Sequence, residues 1–256
     1  MRDGDRWILA AQVQCVRPAP LPETGIRLGV DAGLSSIVTT FDGAAFEHVA
    51  PPKLLRKAAK RLRRAQRRLS RRQKGSARRR AQVKRVAAIH RKVRLKRADF
   101  LHKLSHRLTT KADALVVETL DVRAMSRALR LGKSVADAAL STLLRFVAYK
   151  ADWRGRGLTA ADRWHPSTKP CCRCGARHAM PLSQRVMRCA CGNVMDRDEN
   201  AAVNLYWYPE ERENRVREGA TRGEIGCQAA GVSPPPVPVG EPRMLAVMER
   251  IAHESQ

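Results

Sequence analysis

Residues 171–191, "CCRCGARHAMPLSQRVMRCAC", hold five cysteines in twenty-one positions, and the chain then runs into "DRDENAAVNL" at 196–205. Cys171 and Cys174 form C-x-x-C with Gly175 behind, and Cys189 and Cys191 form C-x-C with Gly192 behind. Fourteen residues separate the two pairs. Each knuckle must turn tightly for two sulfurs to converge on one ion, and a following Gly permits that turn. Four thiolates suit Zn2+, bound at about 2.3 Å each, and four protein ligands leave no position for a reactive water. The expected site is therefore structural zinc on Cys171, Cys174, Cys189 and Cys191, with His178 in reserve should Cys191 fall short. Cys172, between two ligands, is expected to point outward. No Cys is paired with a positioned base, so thiol catalysis is not indicated.

Carboxylates offer a second, harder chemistry. Asp31 ends the apolar run "IRLGVD", Glu118 ends "ALVVE", and Asp198 opens the stretch after the cysteines. Singly each has an ordinary reading: turn residue, solvent-facing strand end, helix N-cap. Adjacent parallel strands would bring Asp31 and Glu118 to one sheet end, and a helix packed there would add Asp198. Three clustered carboxylates repel one another unless divalent cations sit among them. Mg2+ or Mn2+ takes oxygen ligands and water, and two such ions about 4 Å apart can activate a water and stabilise the leaving 3′ oxygen of a phosphodiester. Asp196 is the alternative third acid, and Asp121 a weaker substitute for Glu118.

The positioning elements follow from periodicity. "WILAAQVQCV" (7–16) reads as a strand, followed by a Pro-rich connection. Short β-rich runs separated by Gly turns at Gly33 and Gly43 then predict three antiparallel strands near 26–31, 35–41 and 44–49. From about 51 to 110 the pattern is helical. Leu55, Ala58, Leu62, Ala65 and Leu69 form one stripe; after a break at Gly75 a second runs through Val83, Val86, His90, Val93, Arg97, Phe100, Leu104 and Leu108. Two long helices folded back on each other would bury these stripes. "ADALVVETL" (112–120) predicts a buried strand, Ser134–Arg154 one helix, "RGLTAAD" a weak strand, and Asp198–Tyr206 a helix. "SPPPVPVGEP" is a polyproline-type linker, and the last fourteen residues could form a short helix. Together these elements predict an α/β fold, a mixed sheet flanked by helices, with the basic helical pair inserted between the third and fourth core strands.

Charge separates the helical pair from the rest. The chain of 256 residues has a formal net charge of +26, and residues 51–110 carry 24 Lys and Arg against one acid, Asp99. So many like charges repel unless an anion neutralises them, which points to nucleic acid. The segment lacks a Trp- or Phe-bearing apolar face, so a membrane surface fits less well. The expected phosphate contacts are Arg61, Arg64, Arg68, Arg71, Arg72, Lys74, Arg78, Arg79, Arg80 and Lys84, with Lys150, Lys169 and Arg197 elsewhere. No run has the length of a membrane span, the start lacks a signal-peptide pattern, and the seven cysteines are odd in number and clustered. The expectation is a cytoplasmic chain, nucleoid-associated, with reduced cysteines.

"GVDAGLSSIVTT", "LVVETLDV" and the C-x-x-C … C-x-C-G-x-x-x-DRDENAAVNL series resemble TnpB, the transposon-encoded RNA-guided nuclease of OrfB type. They also resemble the RuvC-like domains of type V CRISPR effectors. "GSARRR", "FLHKLSHRL", "AYKADWRGRGL" and "HPSTKPCCRCG" follow in the expected order, so the likeness covers about residues 2–208. It implies an RNase H-like fold, a zinc ribbon, and Mg2+-dependent cleavage of DNA chosen by a guide RNA. By motif, Asp31, Glu118 and Asp198 match the catalytic acids, and the Asp two residues before Asn200 favours Asp198 over Asp196. The implied divisions are a wedge-like β segment at 1–24, nuclease core at 25–50, 111–164 and 196–209, the basic hairpin at 51–110, the ribbon at 165–195 and a disordered tail at 210–256. The family carries a wedge with an inserted recognition domain before the nuclease core, where this sequence has only about twenty-five residues. A shortened or degraded copy that binds without cutting is the alternative expectation, and in either case the chain is expected as a monomer or homodimer.

Overall fold

Pairing and cover decide which β-rich runs of the sequence become strands. The computed structural model of the chain describes residues 2–3, 6–128, 132–181 and 183–209. Two compact units divide it, residues 1–18 with 52–104 and residues 19–51 with 105 onward. In the first unit β1 (Arg2–Asp3) and β2 (Arg6–Trp7) form a two-residue antiparallel pairing. The strand expected over 7–16 does not continue past Trp7, and residues 8–26 have no regular structure. Leu9 is 94% exposed and Val13 and Val16 are exposed as well. Alternating apolar residues make a strand only where a neighbour takes the backbone hydrogen bonds and another layer covers one face.

The helical pair of the first unit comprises α1 (Leu54–Ser70) and the start of α2 (Ala77–Lys111), joined by a turn at Gly75 with φ +81°. The α1 stripe falls where the periodicity put it, with Leu55, Ala58, Leu62, Ala65 and Leu69 half-buried. On α2 the facing positions are Gln82, Val86, Ile89 and Val93, whereas Val83 and His90 are exposed. A polar residue explains the displaced phase: the Gln82 amide donates to the Ala65 carbonyl at 2.9 Å, so a glutamine occupies the seam. Arg79 donates from Nη1 to the carbonyls of Leu69 and Arg72, closing the end of α1.

The second unit is built on a five-stranded mixed sheet. Its members are β3 (Arg27–Asp31), β4 (Val38–Phe41), β5 (Phe46–Val49), β6 (Ala114–Glu118) and β7 (Gly157–Ala161), in the order β5-β4-β3-β6-β7. The first three run antiparallel in sequence; β6 lies parallel to β3, and β7 parallel to β6. Every residue of β3 is buried, as suits a central strand. At the opposite end from Asp31, Asp113 accepts bonds from the backbone N–H groups of Thr24 and Gly25 and pairs with Arg156.

After β6 come α3 (Val122–Ala128), α4 (Gly132–Ala138) and α5 (Leu140–Trp153). The single helix expected over Ser134–Arg154 is broken at Ala139, which takes the left-handed conformation at φ 53°. The break lets Val135 and Ala138 before it, and Leu140, Leu143 and Val147 after it, all be buried, which outweighs the roughly 1–2 kcal/mol cost of that backbone. Beyond β7 a small antiparallel pair, β8 (Val186–Arg188) and β9 (Val194–Asp196), forms the ribbon and leads into α6 (Arg197–Tyr206).

Helix α6 lies against β3 at Gly29. A Cβ there would fall 2.1 Å from the Ala202 carbonyl oxygen and 2.6 Å from the Tyr206 nitrogen, both backbone atoms. Only glycine permits so close an approach of helix to sheet. The tail expected over 210–256 lies outside the described residues. Among those described, no helix is long and apolar enough to cross a membrane.

Candidate metal centres at the carboxyl end of the sheet

Asp31 and Glu118 are the last residues of β3 and β6, parallel neighbours whose register pairs Val30 with Val117. One step further in that register places the two carboxylates side by side. Asp31 is only 6% exposed. Its carboxyl is held well above the usual carboxylate range, first by burial and then by the charges of Glu118 and Asp198. Glu118 is also shifted upward by burial, against the opposing bond its Oε1 accepts from Ser167 Oγ at 3.1 Å. Asp198, in the first turn of α6, is raised by burial and by Asp196, with Arg185 and Arg197 acting the other way. Three acids remote in sequence thus share one field.

The two alternative acids have other tasks. Asp196 caps α6, its Oδ1 accepting the Asp198 N–H at 2.7 Å. Asp198 is therefore not the N-cap, and its carboxylate contributes to the charge felt by Asp31. Asp121 caps α3 through Ala124 N–H at 2.8 Å and pairs with Arg163. Asp31, Glu118 and Asp198 are not drawn as tight as a single-ion site. Among the described residues only the four-cysteine set has all its donor atoms within 4.8 Å of one another. A pair of ions about 4 Å apart spans a wider ligand set than one ion does.

Several positioning residues were not legible in the sequence. Asn200, fully buried, receives the Cys172 N–H on Oδ1 at 2.9 Å and donates Nδ2 to the Pro170 carbonyl at 2.7 Å. One turn on, Asn204 donates to the carbonyls of Ser167 and Pro170 at 2.7 and 2.9 Å. The segment 167–172 is thus clamped to α6 while Ser167 reaches Glu118, so one hydrogen-bonded frame holds two of the acids and the first cysteine knuckle. On the other side of α6, His48 of β5 contacts Glu199 at 2.9 Å through Nε2 and Thr39 at 3.3 Å through Nδ1. Arg185 sits 3.7 Å from Asp198. The spacing of Asn200 and Asn204, four apart among the apolar residues that follow the charged first turn of α6, is the one sequence signal for the clamp.

Cys171, Cys174, Cys189 and Cys191 converge, with Sγ–Sγ distances of 3.7 Å for Cys171–Cys191 and 3.4 Å for Cys174–Cys189. The donor set fits a soft tetrahedral ion. Burial pushes the Cys171 thiol up, yet the N–H groups of Cys174 and Arg173 and the Asn193 amide more than offset this, bringing it down to about 7. Cys191 reaches the cluster despite its shorter knuckle, and His178 is outside it. Cys172 corrects the expectation of an outward thiol: it is buried, with Sγ 3.3 Å from Met195 Sδ, because the Asn200 bond turns its backbone toward α6.

The expected phosphate-binding cations divide by environment. Arg79 aside, those of the hairpin are exposed: Arg61, Arg64, Arg68, Arg71, Arg72, Lys74, Arg78, Arg80 and Lys84. Lys169 is exposed, whereas Lys150 is half-buried and donates to Ser105 Oγ at 2.7 Å. Arg197 donates to the Pro181 carbonyl at 3.1 Å and lowers the pKa values of the acids around it.

In fold, the chain is similar to Cas12f proteins. It matches a cryo-EM structure of a Cas12f1–sgRNA–target DNA complex with TM-score 0.52 and 16% identity, over 73% of this chain and 50% of that one. A CRISPR–Cas12f ternary complex gives the same TM-score over 76% and 40%. Residues 10–129 match the OrfB_IS605 family, described as "Probable transposase", and 141–205 match the Cas12f1-like TNB domain. A Streptomyces pristinaespiralis protein named "Putative RNA-guided DNA endonuclease" is 43% identical over 73% of this chain and 46% of its own length. Two similarly named relatives, from Mycobacterium tuberculosis and Escherichia coli, are 36% and 29% identical over 82% and 78% of this chain and 48% and 52% of theirs. The chain belongs to the TnpB family, and it spans about half the length of the curated relatives it matches.

Proposed function

We propose that the chain carries an RNase H-like, RuvC-type nuclease core that hydrolyses phosphodiester bonds of DNA, in the cytoplasm and with a guide RNA selecting the strand. The observation that carries this reading is the gathering of Asp31, Glu118 and Asp198 at one end of the sheet, where burial raises all three pKa values and the charges of Glu118 and Asp198 raise that of Asp31 further. An anionic pocket of that kind suits Mg2+ or Mn2+. Two such ions would lower the pKa of an attacking water and stabilise the departing 3′ oxygen. The chain's own contribution is placement. Strand ends fix Asp31 and Glu118, Ser167 orients Glu118, and the Asn200–Asn204 clamp with the Asp196 cap sets the first turn of α6 so that Asp198 faces the pocket. Arg197 offsets part of the negative charge. Zinc on the four cysteines would stiffen the ribbon from which α6 departs.

Labelled single-stranded DNA incubated with Mg2+ tests the reading. Cleavage by the wild type, lost in Asp31→Ala and in EDTA, is the expected result; equal cleavage in all three contradicts it. The exposed hairpin cations support a second reading, retention of RNA or DNA without cutting, because the chain spans about half the length of its curated relatives. That reading predicts binding in EDTA with no product at any Mg2+ concentration.

A further inference from the structure

One aromatic side chain near the carboxylates takes no part in the core. Trp164 is 85% exposed. It lies three residues beyond Ala161, the register partner of Glu118 on β7, and so at the same end of the sheet as the acids. A large apolar ring so open to water is poorly accounted for by packing.

The turn that presents this ring is built rigidly. His165 N–H donates to the Asp162 carbonyl at 2.8 Å, closing four residues with Arg163 and Trp164 at the corner. Both ends of the turn are tied to Tyr208, a buried residue just past α6. Tyr208 Oη donates to Asp162 Oδ2 at 2.8 Å and accepts the Asp162 N–H at 3.1 Å. The His165 ring meets the Tyr208 ring edge-on with centroids 4.7 Å apart. The guanidinium of Arg163 lies 5.4 Å from the centre of the Trp164 ring and is itself held by Asp121.

We propose that Trp164, braced by Arg163, is a stacking platform for an unpaired base of single-stranded DNA. A preorganised indole with a cation beside it offers a π-face to the base and a charge to the adjoining phosphate, which is the chemistry that binds single strands without reading sequence. Duplex DNA keeps its bases stacked inside and gives the ring nothing to cover. DNA is favoured over RNA because the platform stands at the carboxylate end, where the strand to be cut must pass; this choice rests on the nuclease reading above.

Binding of a labelled oligothymidylate of about 20 nucleotides to the full chain, with Mg2+ and Mn2+ omitted so that no cutting occurs, tests the platform. One stacked base is worth about 1–3 kcal/mol, so Trp164→Ala is expected to weaken binding about 5- to 150-fold, with Trp164→Phe restoring most of the affinity. The salt dependence should keep its slope, because no phosphate contact is removed. An oligomer of abasic sites should bind wild type and Trp164→Ala alike. Unchanged affinity, an equal loss on the abasic strand, a larger loss on single-stranded RNA, or a drop of several degrees in the melting temperature of Trp164→Ala would each overturn the proposal. Because the assay needs no metal, loss of the nuclease reading through the Asp31→Ala comparison leaves its outcome independent.

Discussion

A carboxyl group raised by burial binds its proton more tightly in the folded chain than in the unfolded one. Asp31, Glu118 and Asp198 all have this sign. Chelator-treated protein should therefore lose stability as pH rises above about 4, where the unfolded acids ionise, and through the higher folded values. Thermal melts between pH 4 and 7 check this. Asp31→Asn should flatten that dependence and raise stability at pH 7 by about 1–2 kcal/mol while removing the pocket's central charge. At the cysteines, Cys174→Ser should abolish tight binding of one zinc. Cys172→Ser should keep the metal, because the Cys172 thiol faces Met195 and not the cluster. A zinc-content measurement separates the two variants.

Helix α6 governs the site at the scale of elements, and two contacts set its pose. Gly29→Ala would press a methyl into backbone atoms of Ala202 and Tyr206 that cannot swing aside, with an expected cost of about 3 kcal/mol and a displaced Asp198. Asn200→Ala would leave the Cys172 N–H without its side-chain acceptor in a dry interior and take one of two bonds from the Pro170 carbonyl, for about 1–3 kcal/mol. Denaturant melts measure both. The sheet itself was largely legible. Apolar runs ending in Asp31 and Glu118 gave the central strands because burial on both faces leaves a continuous Leu/Val signature. Context hid the rest. "WILAAQVQCV" alternates correctly but ends its pairing at Trp7; the helix break at Ala139 has no Gly or Pro to announce it; and Gln82 takes a seam position that a hydrophobic stripe assigns to Val83. His48 and Ser167 reach the site across 151 and 49 positions of sequence and Arg185 across 13, beyond any local pattern.

Across the whole molecule, charge is confined to one segment. Most of the hairpin cations are exposed, and the hairpin carries nearly all of the net +26, while the sheet-bearing remainder is close to neutral. Polynucleotide binding should accordingly weaken steeply with salt, and replacing Arg61, Arg64 and Arg68 with Ala should reduce the slope of log affinity against log salt by about 2–3. The alternation of soft and hard donors along the sequence has a structural reason: cysteines, clamp and last carboxylate are consecutive parts of one rigid connection into α6.

The central claim is that Asp31, Glu118 and Asp198 form one divalent-ion pocket. Calorimetric titration of Mn2+ into the zinc-loaded full chain measures this without any need for cleavage. Saturable binding that weakens at least tenfold in each of Asp31→Asn, Glu118→Gln and Asp198→Asn, and is untouched in Asp121→Asn, is the predicted result. Equal Mn2+ affinity in the wild type and all three acid variants would contradict the account.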